Sequence, residues 1–240
     1  KENLNRLFSG AHGYTDKQMA TDTLSESYRA CLLENTVAAF FTHQQASGVE
    51  RARYHYDLHT AIRASKQEKF AVYPYRHGKA WSKEQLAFLL ACGVNTVLLS
   101  NTPTTSFSYF SSCRFSADAF TVELGKVRPF GENNMDNFSA ITQTLTRLIA
   151  GEEVDVKPYK ADDFNIYAVS QTINRTQQDF HLNFANDVLN FTDFPENSLL
   201  ATDGDNEFRT QTMGEAIIFP NADVAIGQRA LLTVIPTKIS

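Results

Sequence analysis

No apolar run in this 240-residue chain reaches the roughly 18 to 20 residues that a membrane-spanning helix needs. Cysteine is scarce. Cys31, Cys92 and Cys113 are odd in number, scattered, and in no C-x-x-C pair. That fits reduced thiols better than a disulfide framework, hence a cytoplasmic protein, with the three side chains read as small core residues. Positive charge is in deficit: 22 Lys and Arg stand against 27 Asp and Glu, a net charge of −5 and a pI near 5.7, which argues against a nucleic-acid partner. There is no G-x-G-x-x-G, no P-loop and no G-x-S-x-G, so dinucleotide, nucleotide and serine-nucleophile chemistries lack their signatures. No H-x-x-E or H-x-x-H pair occurs, nor any internal repeat or low-complexity tract. An initiator Met is also missing. The chain opens at Lys1, already inside a motif, and reads as one whose start lies upstream.

What is present is ordinary for a soluble globular protein: 42% hydrophobic and 20% charged residues. Helix and strand alternate through residue 150. Residues 22–45 read as an amphipathic helix with Thr23 and Glu26 as a capping box and Leu24, Tyr28, Cys31, Leu32, Val37 and Phe41 as its stripe. Strands are expected over 53–59, 70–75, 95–100 and 119–124. Helices are expected over 83–92, capped by Ser82 and stopped by Gly93, and over 136–150, ended by Gly151. This alternation predicts an α/β layered domain. A charged stretch with Pro158 follows, and the texture changes. Beyond it come only short strand-like runs, over 166–173, 180–185, 198–201, 208–213, 216–219 and 230–235, separated by turns such as Thr202-Asp203-Gly204-Asp205-Asn206. They read as a small all-β domain.

Two apolar runs carry a residue with chemistry. In Tyr56-Asp57-Leu58-His59-Thr60-Ala61-Ile62-Arg63 a histidine closes the run, with an acid two residues before it and an arginine four after. On a strand, His55, Asp57 and His59 project to one side, so Asp57 is placed to orient the imidazole. His59 is then either a metal ligand where a strand meets a loop or a polar edge position. In Phe120-Thr121-Val122-Glu123-Leu124-Gly125 a carboxylate interrupts the run. A charge there is costly unless paired or used. Glu123 either shuttles a proton between water and a leaving amine, or pairs with Lys126 or Arg128. One such His and one such Glu suit a zinc hydrolase. Asn5-Arg6 offers a bidentate carboxylate grip. Arg63, Arg114, Lys126 and Arg128 lie near the two motifs in sequence, either to receive an anionic substrate or as solvated surface charges.

Taken together, Leu4-Asn5-Arg6-Leu7-Phe8, Asp57-Leu58-His59-Thr60-Ala61-Ile62-Arg63 and Val122-Glu123-Leu124-Gly125-Lys126 resemble the succinylglutamate desuccinylase/aspartoacylase family of zinc carboxypeptidase-like hydrolases. Pro129-Phe130-Gly131-Glu132-Asn133, Val169-Ser170-Gln171, Leu189-Asn190-Phe191 and Phe219-Pro220-Asn221 extend the likeness along the whole chain. The resemblance implies a layered α/β/α domain over residues 1–155, here without its leading strands, followed by a small all-β domain over 156–240. It implies hydrolysis of the tricarboxylate N-succinyl-L-glutamate to succinate and L-glutamate, the last step of arginine breakdown by the succinyltransferase route. It makes His59 a ligand of one Zn2+ per chain, Glu123 the catalytic glutamate, and Asn5, Arg6 and Arg63 substrate contacts. Two further zinc ligands are expected in an upstream Gly-x-His-Gly-Asn-Glu motif that this chain does not contain. Ala11-His12-Gly13-Tyr14 does not replace it, because Thr15 stands where H-x-x-E requires Glu; and Asn3 stands where the family more often has Asp. The alternatives are a related aspartoacylase-like deacylase, or a non-catalytic module that binds dicarboxylates.

Overall fold

Runs of β-branched and aromatic residues bounded by turn formers set the strands of this chain. The structure, a computed structural model, describes residues 3–10, 25–46 and 51–239. In chain order it contains α1 (Glu26–Ala46), β1 (Tyr54–Ala61), β2 (Phe70–Tyr73), α2 (Lys83–Ala91), β3 (Thr96–Leu99), α3 (Phe107–Phe115), β4 (Asp118–Lys126) and α4 (Ser139–Ala150). The strands β5 (Asn165–Asn174), β6 (His181–Leu182), β7 (Thr192–Asp193), β8 (Leu199–Asp203), β9 (Asn206–Arg209), β10 (Ala216–Ile218) and β11 (Arg229–Pro236) follow. Two compact units result. The first gathers the described residues of Lys1–Leu58 with Tyr73–Ala80 and Ser100–Thr121; the second gathers His59–Val72, Trp81–Leu99 and the described residues from Val122 onward.

In the first unit Phe8, Ala30 and Phe110 form a buried cluster flanked by Leu4, Leu7, Val37, Phe107 and Phe115. The buried face of α1 is Ala30, Cys31, Glu34 and Phe41, at helical spacing. Leu24 of the expected stripe lies outside the described residues, and among the rest one position differs. Leu32 is exposed, and Glu34 is buried instead, because its carboxylate accepts the backbone N–H of Gly10 at 2.9 Å. Ser25 caps the helix by accepting from Tyr28 N–H at 3.1 Å; Thr23 lies outside the described residues. Helix α3 was not expected. Phe107–Phe115 (FSYFSSCRF) mixes serines and aromatics and presents no apolar stripe. It forms because Ser106 caps Tyr109 N–H, Ser116 closes the last turn at φ +54°, and Ser108 to Ser111 are buried. Ser108 then meets Thr121 hydroxyl to hydroxyl at 2.8 Å.

Eight strands form a sheet in the order β1-β4-β2-β3-β5-β11-β10-β7. Strand β5 runs parallel to β3, with Thr96 opposite Asn165 and Leu99 opposite Ala168. The hydrogen-bond ladder therefore continues past the composition change near residue 160. Strands β11, β10 and β7 extend it antiparallel, with bulges in β11. A second sheet, β6-β8-β9, turns at Gly204, whose φ of +60° suits the tight hairpin between Asp203 and Asn206. The strand expected over 208–213 ends at Arg209, because Thr210 leaves the ladder to bond the carbonyls of Ser198 and Pro195. Helix α2 is capped by Ser82 as expected, and Thr144 of α4 donates to the Ala91 carbonyl at 3.0 Å.

Glu215 is fully buried between β10, β11 and β5. Burial alone would raise its pKa, but the Gln171 amide, the Thr233 hydroxyl and the Gln211 N–H donate to it and hold it below the usual carboxylate range. Replacement Glu215→Ala strands these donors and should cost about 1–3 kcal/mol in urea unfolding at neutral pH. The depressed pKa adds a sign. The stabilisation is complete above the ordinary carboxylate value and is lost as pH falls through the depressed one, so the wild-type advantage over the variant should shrink in acid.

Candidate active site

Strand β1 continues two residues beyond His59, so His59 sits inside the strand rather than at its exit. The extension is held by the Ala61 carbonyl, which accepts Val127 N–H at 2.8 Å. Glu123 lies within β4 between the buried Val122 and Leu124, and is itself only 8% exposed. Strands β1 and β4 are neighbours in the sheet, and both residues belong to the second unit. Tertiary structure thus sets on adjacent strands a histidine and a carboxylate far apart in sequence. The alternative in which Glu123 is neutralised by Lys126 or Arg128 is not realised: among the described residues neither cation forms an ion pair.

Arg63 follows β1. Its guanidinium donates to the carbonyls of Asn186, Val188 (2.8 Å) and Pro220 (3.5 Å), so it ties the loops before β7 and after β10 to the end of β1. Burial lowers its pKa, and Asp187 works in the opposite direction. Asn5 and Arg6 belong to the first unit, in a short 3-10 turn at Leu4–Arg6. The Asn3 side chain accepts Asn5 N–H at 3.1 Å, and Asn5 Oδ1 in turn accepts Phe107 N–H, at 3.2 Å, where α3 begins. Arg6 is half-buried, which lowers its pKa. In the same unit His55 bonds Ser111 through Nδ1 and sets its ring edge-on to Phe107. Its burial favours the neutral imidazole, against the pull of Asp57. Tyr109, on the unexpected α3, bonds His77 at 2.9 Å, and burial pushes its phenol up to about 12.

A cavity of about 260 Å³ opens where β1 and β4 end, lined among others by Ala61, Arg63, Glu68, Gly125, Lys126 and Arg128. Three of the four cations singled out from sequence line it; Arg114 lies in the last turn of α3, in the first unit. Glu68 and Asn134, which also line it, carried no sequence signal, because each is a polar residue in a loop.

Comparison with known proteins fits this geometry. The profile of the succinylglutamate desuccinylase/aspartoacylase catalytic domain matches residues 1–149, and that of the AstE/AspA barrel-sandwich hybrid domain matches 162–237. The chain belongs to this family. It is 57% identical to the succinylglutamate desuccinylase of Idiomarina loihiensis, over 99% of this chain and 68% of that protein. It is 53% identical to that of Pseudoalteromonas atlantica, over 99% of this chain and 66% of the relative. The X-ray structure of succinylglutamate desuccinylase from Vibrio parahaemolyticus superposes with a TM-score of 0.82 at 38% identity, over 99% of this chain and 66% of that one. The chain therefore spans about two thirds of the length of these relatives. The fold is that of the succinylglutamate desuccinylase/aspartoacylase family, a carboxypeptidase-like α/β domain with a β-rich hybrid domain. No described helix is long and apolar enough to cross a membrane.

Zinc, expected from the family, takes three protein ligands in a catalytic site. Among the described residues no three His, Cys, Asp or Glu side chains converge, so those residues do not make up a complete zinc site. One family motif has a clear local reason. Gly125, at the end of Val-Glu-Leu-Gly, sits at φ +110°, where an L side chain is strained. Replacement Gly125→Ala should cost about 1–2 kcal/mol in thermal or urea unfolding. It should also lower activity more than an equally destabilising core substitution, because Gly125 joins Glu123 to the cavity-lining Lys126.

Proposed function

We propose that this chain is part of a hydrolase that converts N-succinyl-L-glutamate and water to succinate and L-glutamate. The observation that supports it most is the placement of Glu123: a carboxylate buried in an apolar strand, beside the strand of His59, and followed along the chain by Leu124, Gly125 and Lys126, which line a cavity with Arg63 and Arg128. Structures that bury a carboxylate in such a run keep it for a purpose. The relatives' name supplies the reaction, and the cations Arg63, Lys126 and Arg128 suit an anionic substrate.

In this reading Glu123 takes a proton from water as the water oxygen adds to the amide carbonyl, and returns it to the nitrogen as the C–N bond breaks. His59 is the residue on hand to ligate the family's zinc. The described residues do not supply the rest of its ligand set. Asn5 and Arg6 hold a substrate carboxylate. For Asn5 that role shares its side chain with the hydrogen bond to Phe107 N–H. Arg63 acts first as the tie between loops, and it also lines the cavity.

Replacement Glu123→Gln removes the proton carrier while keeping shape. In the full-length protein, turnover of N-succinylglutamate should fall by at least about 100-fold with folding intact. Near-normal turnover would remove Glu123 from the chemistry. Charge reversal in Arg6→Glu should raise KM for N-succinylglutamate strongly, and an unchanged KM would take Arg6 out of substrate binding. Released glutamate from N-succinylglutamate, set against released aspartate from N-acetylaspartate, separates this activity from an aspartoacylase-like one.

A further inference from the structure

The cavity at the ends of β1 and β4 holds more positive charge than the scaffold uses. Most cations near the sheet are engaged. Lys66 pairs with Asp193 at 2.9 Å, Lys69 donates to the Asn137 carbonyl, and the Arg63 guanidinium is held by backbone carbonyls. Lys126 and Arg128 differ. Both are exposed, both line the cavity, and among the described residues neither makes an ion pair or a hydrogen bond. Solvated charges are common on any surface. What sets these two apart is that they line one concavity with Arg63, and that the strand carrying Glu123 leads straight to them.

The geometry of β4 explains how Lys126 reaches this side. In a regular strand, residues three apart face opposite ways. At Gly125 the backbone turns to φ +110°, so the alternation does not carry over to Lys126. Lys126 lies three residues beyond Glu123, roughly 10 Å along a strand. That is the scale on which an extended acyl amino acid separates its amide from its far carboxylates. Glu68, across from Gly125, together with Glu132 keeps the cavity from being uniformly basic, which favours one bound carboxylate over a polyanion.

We propose that this cavity is the subsite for a substrate carboxylate remote from the scissile amide, with Lys126 as its main charge partner and Arg128 as the second. The proposal rests on the hydrolase reading above and names what that site selects. The carboxylate comes from either the acyl chain or the amino acid, and the same cations would bind either.

The test uses the full-length protein and Lys126→Met, with Lys126→Arg as the charge-keeping control; Lys126 is exposed, so neither change disturbs the core. On N-succinylglutamate, Lys126→Met should raise KM at least about tenfold with a smaller change in kcat, and Lys126→Arg should recover most of it. If the defect disappears on N-acetylglutamate, the carboxylate is that of the acyl chain. If it persists there and disappears on N-succinylalanine, it is the glutamate side chain. A Lys126→Met enzyme with wild-type KM on all three substrates overturns the subsite. Calorimetric binding of succinate and of glutamate judges the cavity apart from turnover. Should the wild-type protein hydrolyse none of these amides, the proposed function fails, yet ligand binding weakened by Lys126→Met would still support the subsite, and binding unchanged by it would end it.

Discussion

The parallel pairing of β5 on β3 is the constraint on which the second unit depends. It joins strands separated by more than sixty residues of sequence, and closing so long a segment carries an entropic cost that the ladder and the cores must offset. Phe70, Leu98, Phe191, Ala216, Ile218, Leu232 and Val234 form one buried cluster, drawn from β2, β3, β10, β11 and the turn before β7. Without β5 in place, β11 and β10 would have no edge to add to, and the loops around 186–188 and 220 would lose the frame that Arg63 ties them to. The cavity beside β1 and β4 thus belongs to one sheet whose far end is built by the last seventy-five residues.

Two buried carboxylates on this sheet illustrate how environment divides structural from chemical use. Glu215 is saturated by neutral donors from neighbouring strands and loops, and no cation is needed to hold it as an anion. That is the arrangement of a fixed structural charge, held by hydrogen bonds at both carboxylate oxygens. Glu123 lies in a run as apolar, and the cations that follow it along the chain, Lys126 at the end of β4 and Arg128 beyond it, line a cavity. Exposed charges interact over about 10 Å at ordinary ionic strength, so the cavity's pull on an anion is a local one.

An unusual backbone conformation marks the same place. Gly125 takes a backbone conformation closed to other residues at the junction between the buried part of β4 and its exposed end. The Val-Glu-Leu-Gly-Lys motif therefore reads as one device: two apolar anchors around a carboxylate, a glycine that breaks the pleat, and a cation released to the cavity. The first unit has its own devices of this kind. Asn5 accepts Phe107 N–H at the start of α3, and Glu34 accepts Gly10 N–H, so the segment bearing Asn5-Arg6 is fixed to both of its helices by side chains.

Much of this was legible in the sequence. The strands β1 to β5, β8, β10 and β11 follow from apolar runs between turn residues, and α2 from Ser82 and Gly93, because those signals are local. The resemblance carried by the Asn-Arg, Asp-Leu-His and Val-Glu-Leu-Gly-Lys motifs named the family that the comparisons establish. What stayed hidden was non-local. Helix α3 has no stripe and exists because its serines find hydrogen-bond partners and its aromatics find the Phe8 cluster. Glu34 on the buried face of α1 depends on a backbone N–H supplied by Gly10. Residue types and spacing determined that a histidine and a glutamate sit in strands and that arginines and a lysine follow them. Only the tertiary structure decided that those strands are adjacent, that Arg63 is held by distant carbonyls, and that Lys126 and Arg128 share a cavity, because pairing partners and facing side chains are set by packing between segments that do not know one another along the chain.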